Sequence, residues 1–137
     1  MSLYVDGFTF PIREAQLEDY RPIAEQVAHI WKEYGALEYF ECTADEIHLK
    51  GTRTFSDAIQ LQEGEIVIFG WVMFPSKEVR NTAHRRVAED PRIPELMKAL
   101  SKPPNMIFDA KQMLFGGFRP LIQMADLSNG GKAEDSL

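Results

Sequence analysis

The chain opens on alternation. From Leu3 to Phe10, Tyr4, Asp6, Phe8 and Phe10 fall on one side, with Leu3, Val5, Gly7 and Thr9 on the other. This predicts a strand that Pro11 closes. The period then lengthens: Leu17, Tyr20, Ala24, Val27, Trp31 and Tyr34 recur at helical steps and form one apolar stripe. Gly35 is placed to end that helix. Pro22 interrupts it, because a proline inside a helix removes a hydrogen bond and costs about 3 kcal/mol. The regular helix is therefore expected to begin near Asp19 or to kink early. Leu37 to Ala44 alternates again and predicts a second strand, followed by a polar excursion from Asp45 to Gln60 with a short turn around Ser56-Asp57.

Glu65 to Phe74 is apolar at almost every position: Ile66, Ile68, Val72 and Phe74 point one way, Val67, Phe69, Trp71 and Met73 the other. A strand of this kind needs cover on both faces. Helices of the same chain cover one, and no element remains to cover the other, so the sheet of a second copy is expected there. Ser76 is placed to cap a second long helix, whose narrow stripe is Val79, Ala83 and Val87 and whose stop is Asp90-Pro91. A short helix from about Pro94 buries Leu96, Met97 and Leu100. A fourth strand spans Lys111 to Ile122, with Gly116-Gly117 as a bulge or a place of close backbone approach. The order strand, helix, strand, strand, helix, strand predicts an α+β, ferredoxin-like (βαββαβ) antiparallel sheet with helices on one face. One domain over residues 1–125 is expected, with a disordered tail over 126–137.

Composition narrows the function classes. Acidic residues outnumber basic ones 21 to 15, a net charge of −6, which argues against nucleic acid as a partner. The densest basic stretch, Lys77 to Arg92, is broken by Glu78, Glu89 and Asp90 and reads as a solvated helix face. A lone cysteine, Cys42, excludes a disulfide within the chain and suits a reducing cytoplasm, where it is expected as a small buried hydrophobe. No secretory signal and no membrane span is visible.

Candidate chemistry centres on the first strand. Asp6 is a carboxylate between Tyr4 and Phe8 on one strand face, so once buried it must be hydrogen-bonded or have a raised pKa. A backbone or tyrosine donor, or water at a strand edge, is the ordinary expectation. Asp6 and Tyr4 are the catalytic candidates. Phe8, Trp31, Tyr39, Phe69 and Trp71 are candidate walls of a pocket for a flat ligand. Glu38 and Glu41 fall on opposite faces of the second strand and are not expected to work as a pair. His29 faces away from the apolar stripe of its helix. His84, at the flank of its stripe beside Arg80, is expected at the surface or half-buried. Cys42, Asp45, Glu46 and His48 have ligand chemistry but no closed zinc spacing, and no metal is assigned. Glycine-rich phosphate loops and a GxSxG elbow are absent from the sequence.

Several strings carry a family likeness: Tyr4-Val5-Asp6-Gly7-Phe8, Gly35-Ala36-Leu37-Glu38-Tyr39, Ala88-Glu89-Asp90-Pro91-Arg92, and Phe108-Asp109 leading into Phe115-Gly116-Gly117-Phe118. With them the chain resembles the YbaA-like family of uncharacterised bacterial proteins (domain of unknown function 1428) from about Tyr4 to Ile122. The resemblance implies the dimeric α/β-barrel superfamily, which holds cofactor-free monooxygenases, isomerases, haem enzymes and proteins without known activity. Fold alone does not choose among them, and no proximal histidine for haem is identified. The leading expectation is a cytoplasmic homodimer that binds a small apolar or aromatic ligand and acts on it as an oxygenase or isomerase without a cofactor. Its rival is a non-enzymatic interaction or stress-response module. RNA association is disfavoured by the acidic balance.

Overall fold

The doubly apolar segment becomes an inner strand of the sheet, with helices on one of its faces and the other left open. A computed structural model describes residues 2–128. It contains β1 (Tyr4–Arg13), α1 (Leu17–Glu33), β2 (Glu38–Thr43), a single-turn α2 (Phe55–Ala58), β3 (Glu65–Phe74), α3 (Lys77–Glu89), α4 (Arg92–Leu100) and β4 (Leu114–Phe118). The strands form one antiparallel sheet in the order β2-β3-β1-β4. Together with the element order this is the ferredoxin-like architecture. Among the described residues no helix is long and apolar enough to cross a membrane.

Several boundaries differ from the sequence expectation for physical reasons. β1 does not stop at Pro11 but runs on to Arg13. Because β4 ends its pairing opposite Thr9, β1 beyond that point has a neighbour only in β3, and such an edge tolerates proline. α1 begins at Leu17, after a 3-10 turn over Glu14–Gln16, and carries Pro22 inside it. Pro22 is exposed, so water can reach the Glu18 carbonyl left without its donor. β4 is shorter than expected, with a 3-10 turn over Ala110–Gln112 before it. Its two glycines pair in regular register, Gly116 with Gly7 and Gly117 with Asp6. Close approach rather than a bulge explains them: a Cβ on Gly117 would lie 2.5 Å from the Tyr4 hydroxyl. Cys42 is exposed, not buried. Of the expected disordered tail, Asp126 ends a 3-10 turn over Met124–Asp126, and 129–137 lie outside the described residues.

The helices pack on one side of the sheet. Phe10, Ile12 and Ile68 meet Tyr20 of α1 and Leu100 of α4, while Val72 and Phe74 meet Ala83 of α3. Ser76 caps α3 as expected, its Oγ accepting from the Val79 amide at 3.1 Å. Gly70 in β3 shapes the inner face of the sheet, because a Cβ there would lie 2.5 Å from the Phe8 ring and 2.3 Å from the Phe40 carbonyl oxygen. Only glycine lets Phe8 lie across the middle of the sheet. The opposite side is open. Phe40, Phe69, Leu114 and Phe118 are 45, 41, 53 and 59% exposed, Phe40 stacks on Trp71 at 4.6 Å, and Phe55 of α2 sets its edge against Phe69.

A buried carboxylate ties the helix layer together. Asp90, which ends α3, accepts from the Tyr34 hydroxyl at 2.7 Å, from the Arg92 backbone amide at 2.8 Å, and from Arg92 Nε and Nη2 at 3.0 and 2.8 Å. Arg92 also holds Glu33 at the end of α1. The Arg92 side chain, and then the Tyr34 hydroxyl, hold the Asp90 carboxyl well below the usual carboxylate range. With a folded pKa below the unfolded one, the contribution is present above the unfolded value, near 3.9, and is lost as pH falls through the folded value. Urea midpoints measured from pH 5 downward should therefore fall more steeply for the wild type than for Asp90→Asn. Parallel profiles would show that Asp90 is not linked to folding.

Candidate functional site

Asp6 is the most constrained ionisable group on the sheet. It lies on the helix-facing side of β1 and is 2% exposed. Among the described residues neither a tyrosine nor a backbone amide donates to its side chain. Instead α3 supplies both partners: Arg80 Nε donates to Oδ1 at 2.9 Å, and His84 Nε2 meets Oδ2 at 2.7 Å. Arg80 and His84 are four residues apart and so share a helix face. The Arg80 guanidinium also stands over the Tyr4 ring, 5.2 Å from its centre. An ionised carboxylate only accepts, so in this hydrogen bond His84 Nε2 is the donor. The imidazole is wedged among aromatic rings, 5.2 Å from Trp31 and 6.1 Å from Phe115. The Lys77 to Arg92 stretch is therefore not simply a solvated face, since Arg80, His84 and Arg92 all turn to buried carboxylates.

Beside Asp6 lies a cavity of about 220 Å³ between the sheet and α1. Phe8 and Val72 form its floor, Trp31, Val27 and Ala24 its helical wall, and Phe10, Leu100 and Phe108 close one side. An apolar cavity of about 150 Å³ is enough to admit benzene, so this one has room for a single or fused ring. At its other end Glu41 accepts from the Tyr20 hydroxyl and, at 2.6 Å, from the Tyr39 hydroxyl. Burial, reinforced by the Glu41 charge and the hydrogen bond to it, pushes both phenols far above the ordinary tyrosine range. The cavity thus has an aromatic middle and a carboxylate at each end.

Of the residues singled out from the sequence, Asp6, Phe8, Trp31 and Tyr39 come together around this cavity. Tyr4 shares their sheet face but packs under Arg80 and against Gly117, outside the lining. Phe69 and Trp71 belong to the open side of the sheet and do not contribute. His84, Arg80, Glu41 and Tyr20 were not assigned to a site by sequence reasoning. The spacing of Arg80 and His84 beside an apolar stripe was a usable signal, because a buried Asp6 demanded donors. Glu41 carried no such signal. Cys42, Asp45, Glu46 and His48 do not gather: among the described residues no group of three or more such side chains is placed to hold a metal.

Similarity to known proteins bears on the family and the fold. Over residues 3–110 the chain matches the family described as protein of unknown function (DUF1428). The uncharacterized protein YbaA of Escherichia coli is 37% identical over 119 residues, spanning 87% of this chain and 97% of that protein. The chain belongs to the DUF1428 family. Its strings around Asp6 and Asp90, which suggested the likeness, lie inside the matched region. Solved structures share the fold at low identity. A NIPSNAP family protein of unknown function from Agrobacterium tumefaciens is 16% identical with a TM-score of 0.54, covering 87% of this chain and 88% of that one. SnoaB, a cofactor-independent oxygenase from Streptomyces nogalater, is 12% identical with a TM-score of 0.55, covering 90% and 98%. A dimeric ferredoxin-like protein from an uncultured marine organism is 11% identical with a TM-score of 0.54, again covering 90% and 98%.

The phenol cluster makes its own prediction for this DUF1428 protein. In an alkaline spectrophotometric titration of the native state, Tyr20 and Tyr39 should contribute no phenolate signal up to about pH 11. The native titration then falls short of the four tyrosines that appear in urea. Glu41→Gln removes the charge and should bring both phenols downward. Four phenols ionising together in the native protein would contradict the cluster.

Proposed function

We propose that this protein binds a small, flat, largely apolar ligand in the cavity between sheet and helices and takes a proton from it without a cofactor. The observation that carries this is Asp6, a carboxylate held by Arg80 and His84 in the wall of a largely apolar cavity. Burying a carboxylate costs several kcal/mol unless it is paired, and an apolar side chain would fill the position more cheaply. Arg80 and His84 fix the orientation of the carboxylate in a water-poor site, and its remaining lone pairs are the acceptor to which the ligand proton passes. A deprotonated aromatic is the starting point for isomerisation, by return of the proton elsewhere, and for direct reaction with dioxygen. The description of SnoaB as a cofactor-independent oxygenase supports placing such chemistry on this fold, while leaving the reaction to be assigned from the site.

The test uses 2-naphthol as the probe. A ligand that binds only the folded state raises the melting temperature with concentration, and a proton-accepting site converts bound 2-naphthol to naphtholate, visible in its absorption at pH 7. Wild-type protein should show both effects. Asp6→Asn should lose the naphtholate band, and His84→Gln should weaken it. No thermal shift, or a bound phenol that stays neutral in the wild type, would sink the proposal.

The open side of the sheet supports a homodimer as the working unit. Phe40, Phe69, Leu114 and Phe118 form an exposed apolar surface, unlike the scattered single residues normal for a monomer. The dimeric description of a fold neighbour favours a second copy as its cover. Sedimentation should give twice the chain mass at micromolar concentration, and Phe69→Glu should halve it. A wild-type monomer would rule the dimer out.

A further inference from the structure

We infer that Glu41, held by Tyr20 and Tyr39, selects ligands that carry a hydrogen-bond donor at the end remote from Asp6, so that the ligand class is an elongated aromatic with a hydroxyl or amino group at both ends. This rests on the cavity being the ligand site. Glu41 is one of its lining residues. Among the described residues its hydrogen-bond partners are the two phenols, and no ion pair joins it. The two carboxylates differ here: Asp6 has Arg80 as counter-charge, whereas Glu41 has dipoles alone.

A carboxylate offers about four lone-pair directions, and two phenols leave capacity for one more donor. The phenol hydrogens are committed to Glu41, so the cluster turns only acceptors toward a ligand: carboxylate oxygens and phenolic oxygens. A ligand carboxylate placed there would meet like charge in a site of low dielectric. A hydroxyl or amine would instead make a charge-assisted hydrogen bond. The sheet register sets the length. Asp6 and Tyr39 both pair with Val72 from opposite sides, and Glu41 is one pleat further along β2. With strands about 4.8 Å apart and about 3.4 Å per residue, the two carboxylate-bearing residues are separated by roughly 12 Å along the sheet. A fused bicycle with a group at each end spans that interval, with a hydrogen bond to each pole.

The experiment compares 2-naphthol, 2,6-dihydroxynaphthalene and 6-hydroxy-2-naphthoate by calorimetric or fluorescence titration, on wild type and on Glu41→Gln and Tyr39→Phe. One hydrogen bond to a charged acceptor corresponds to about a tenfold change in affinity. The diol should therefore bind about tenfold tighter than 2-naphthol, and the hydroxy acid about tenfold weaker than the diol or less well still. Glu41→Gln should narrow the diol preference and relieve the rejection of the acid. Tyr39→Phe, which keeps the Glu41 charge, should preserve the rejection of the acid. Equal binding of diol and 2-naphthol by the wild type, or an unchanged preference in Glu41→Gln, overturns the inference. If 2-naphthol still binds and still depends on Asp6, only the role of Glu41 falls. If none of the three binds, the cavity as ligand site falls with it.

Discussion

A carboxylate in the middle of a sheet has to be answered from outside the sheet. Asp6 is on an inner strand, with β3 on one side and β4 on the other, and backbone ladders leave it no free amide. The nearest source of donors is the helix layer. α3 answers with Arg80 and His84, which fixes how that helix is turned: Ala83 and Val87 go to the core, and the two polar residues on the flank reach down to the carboxylate. Replacing either partner would leave a buried charge with too few hydrogen bonds, the costly half of the asymmetry between making such bonds and breaking them.

The same constraint shapes the space beside it. Because Arg80 and His84 approach Asp6 from α3, the sheet surface toward α1 and α4 is left to aromatic side chains. Phe8 lies flat there only because Gly70 has no Cβ in its way. Glu41 then closes the far end with its pair of phenols. The result is a cavity whose polarity is confined to two ends, with rings between them, and a binding site of that form discriminates by the placement of a few polar groups more than by apolar area. The Asp90 cluster holds α1 to the α3–α4 junction and so fixes the helical wall from outside.

Much of the fold was legible in the residues. The alternation of Leu3 to Phe10, the stripe from Leu17 to Tyr34 and the two-sided apolar run of Glu65 to Phe74 all became the elements they predicted. The misses occurred where neighbours outvote local pattern. Pro11 stays within β1 because β4 has already ended, a fact of pairing and not of local sequence. Cys42 is exposed because it occupies the open side of an edge strand. The candidate site was half legible: Asp6 stood out as a charge among apolar residues, and Phe8, Trp31 and Tyr39 line the same cavity, whereas Phe69 and Trp71 lie on the other face of the sheet.

What this sequence determined by itself is the set of elements and the face each residue takes on its own strand or helix, because those follow from periods of two and 3.6 residues. It also determined that Asp6, once buried, would need partners. Tertiary structure alone decided which partners those are, since Arg80 and His84 are 74 and 78 residues away along the chain and only the docking of α3 brings them within hydrogen-bond distance. The same holds for Glu41, which is an ordinary alternating residue in β2 until the packing of α1 sets the Tyr20 hydroxyl against it. Contacts between distant segments depend on how elements pack, and local periodicity contains no information about that choice.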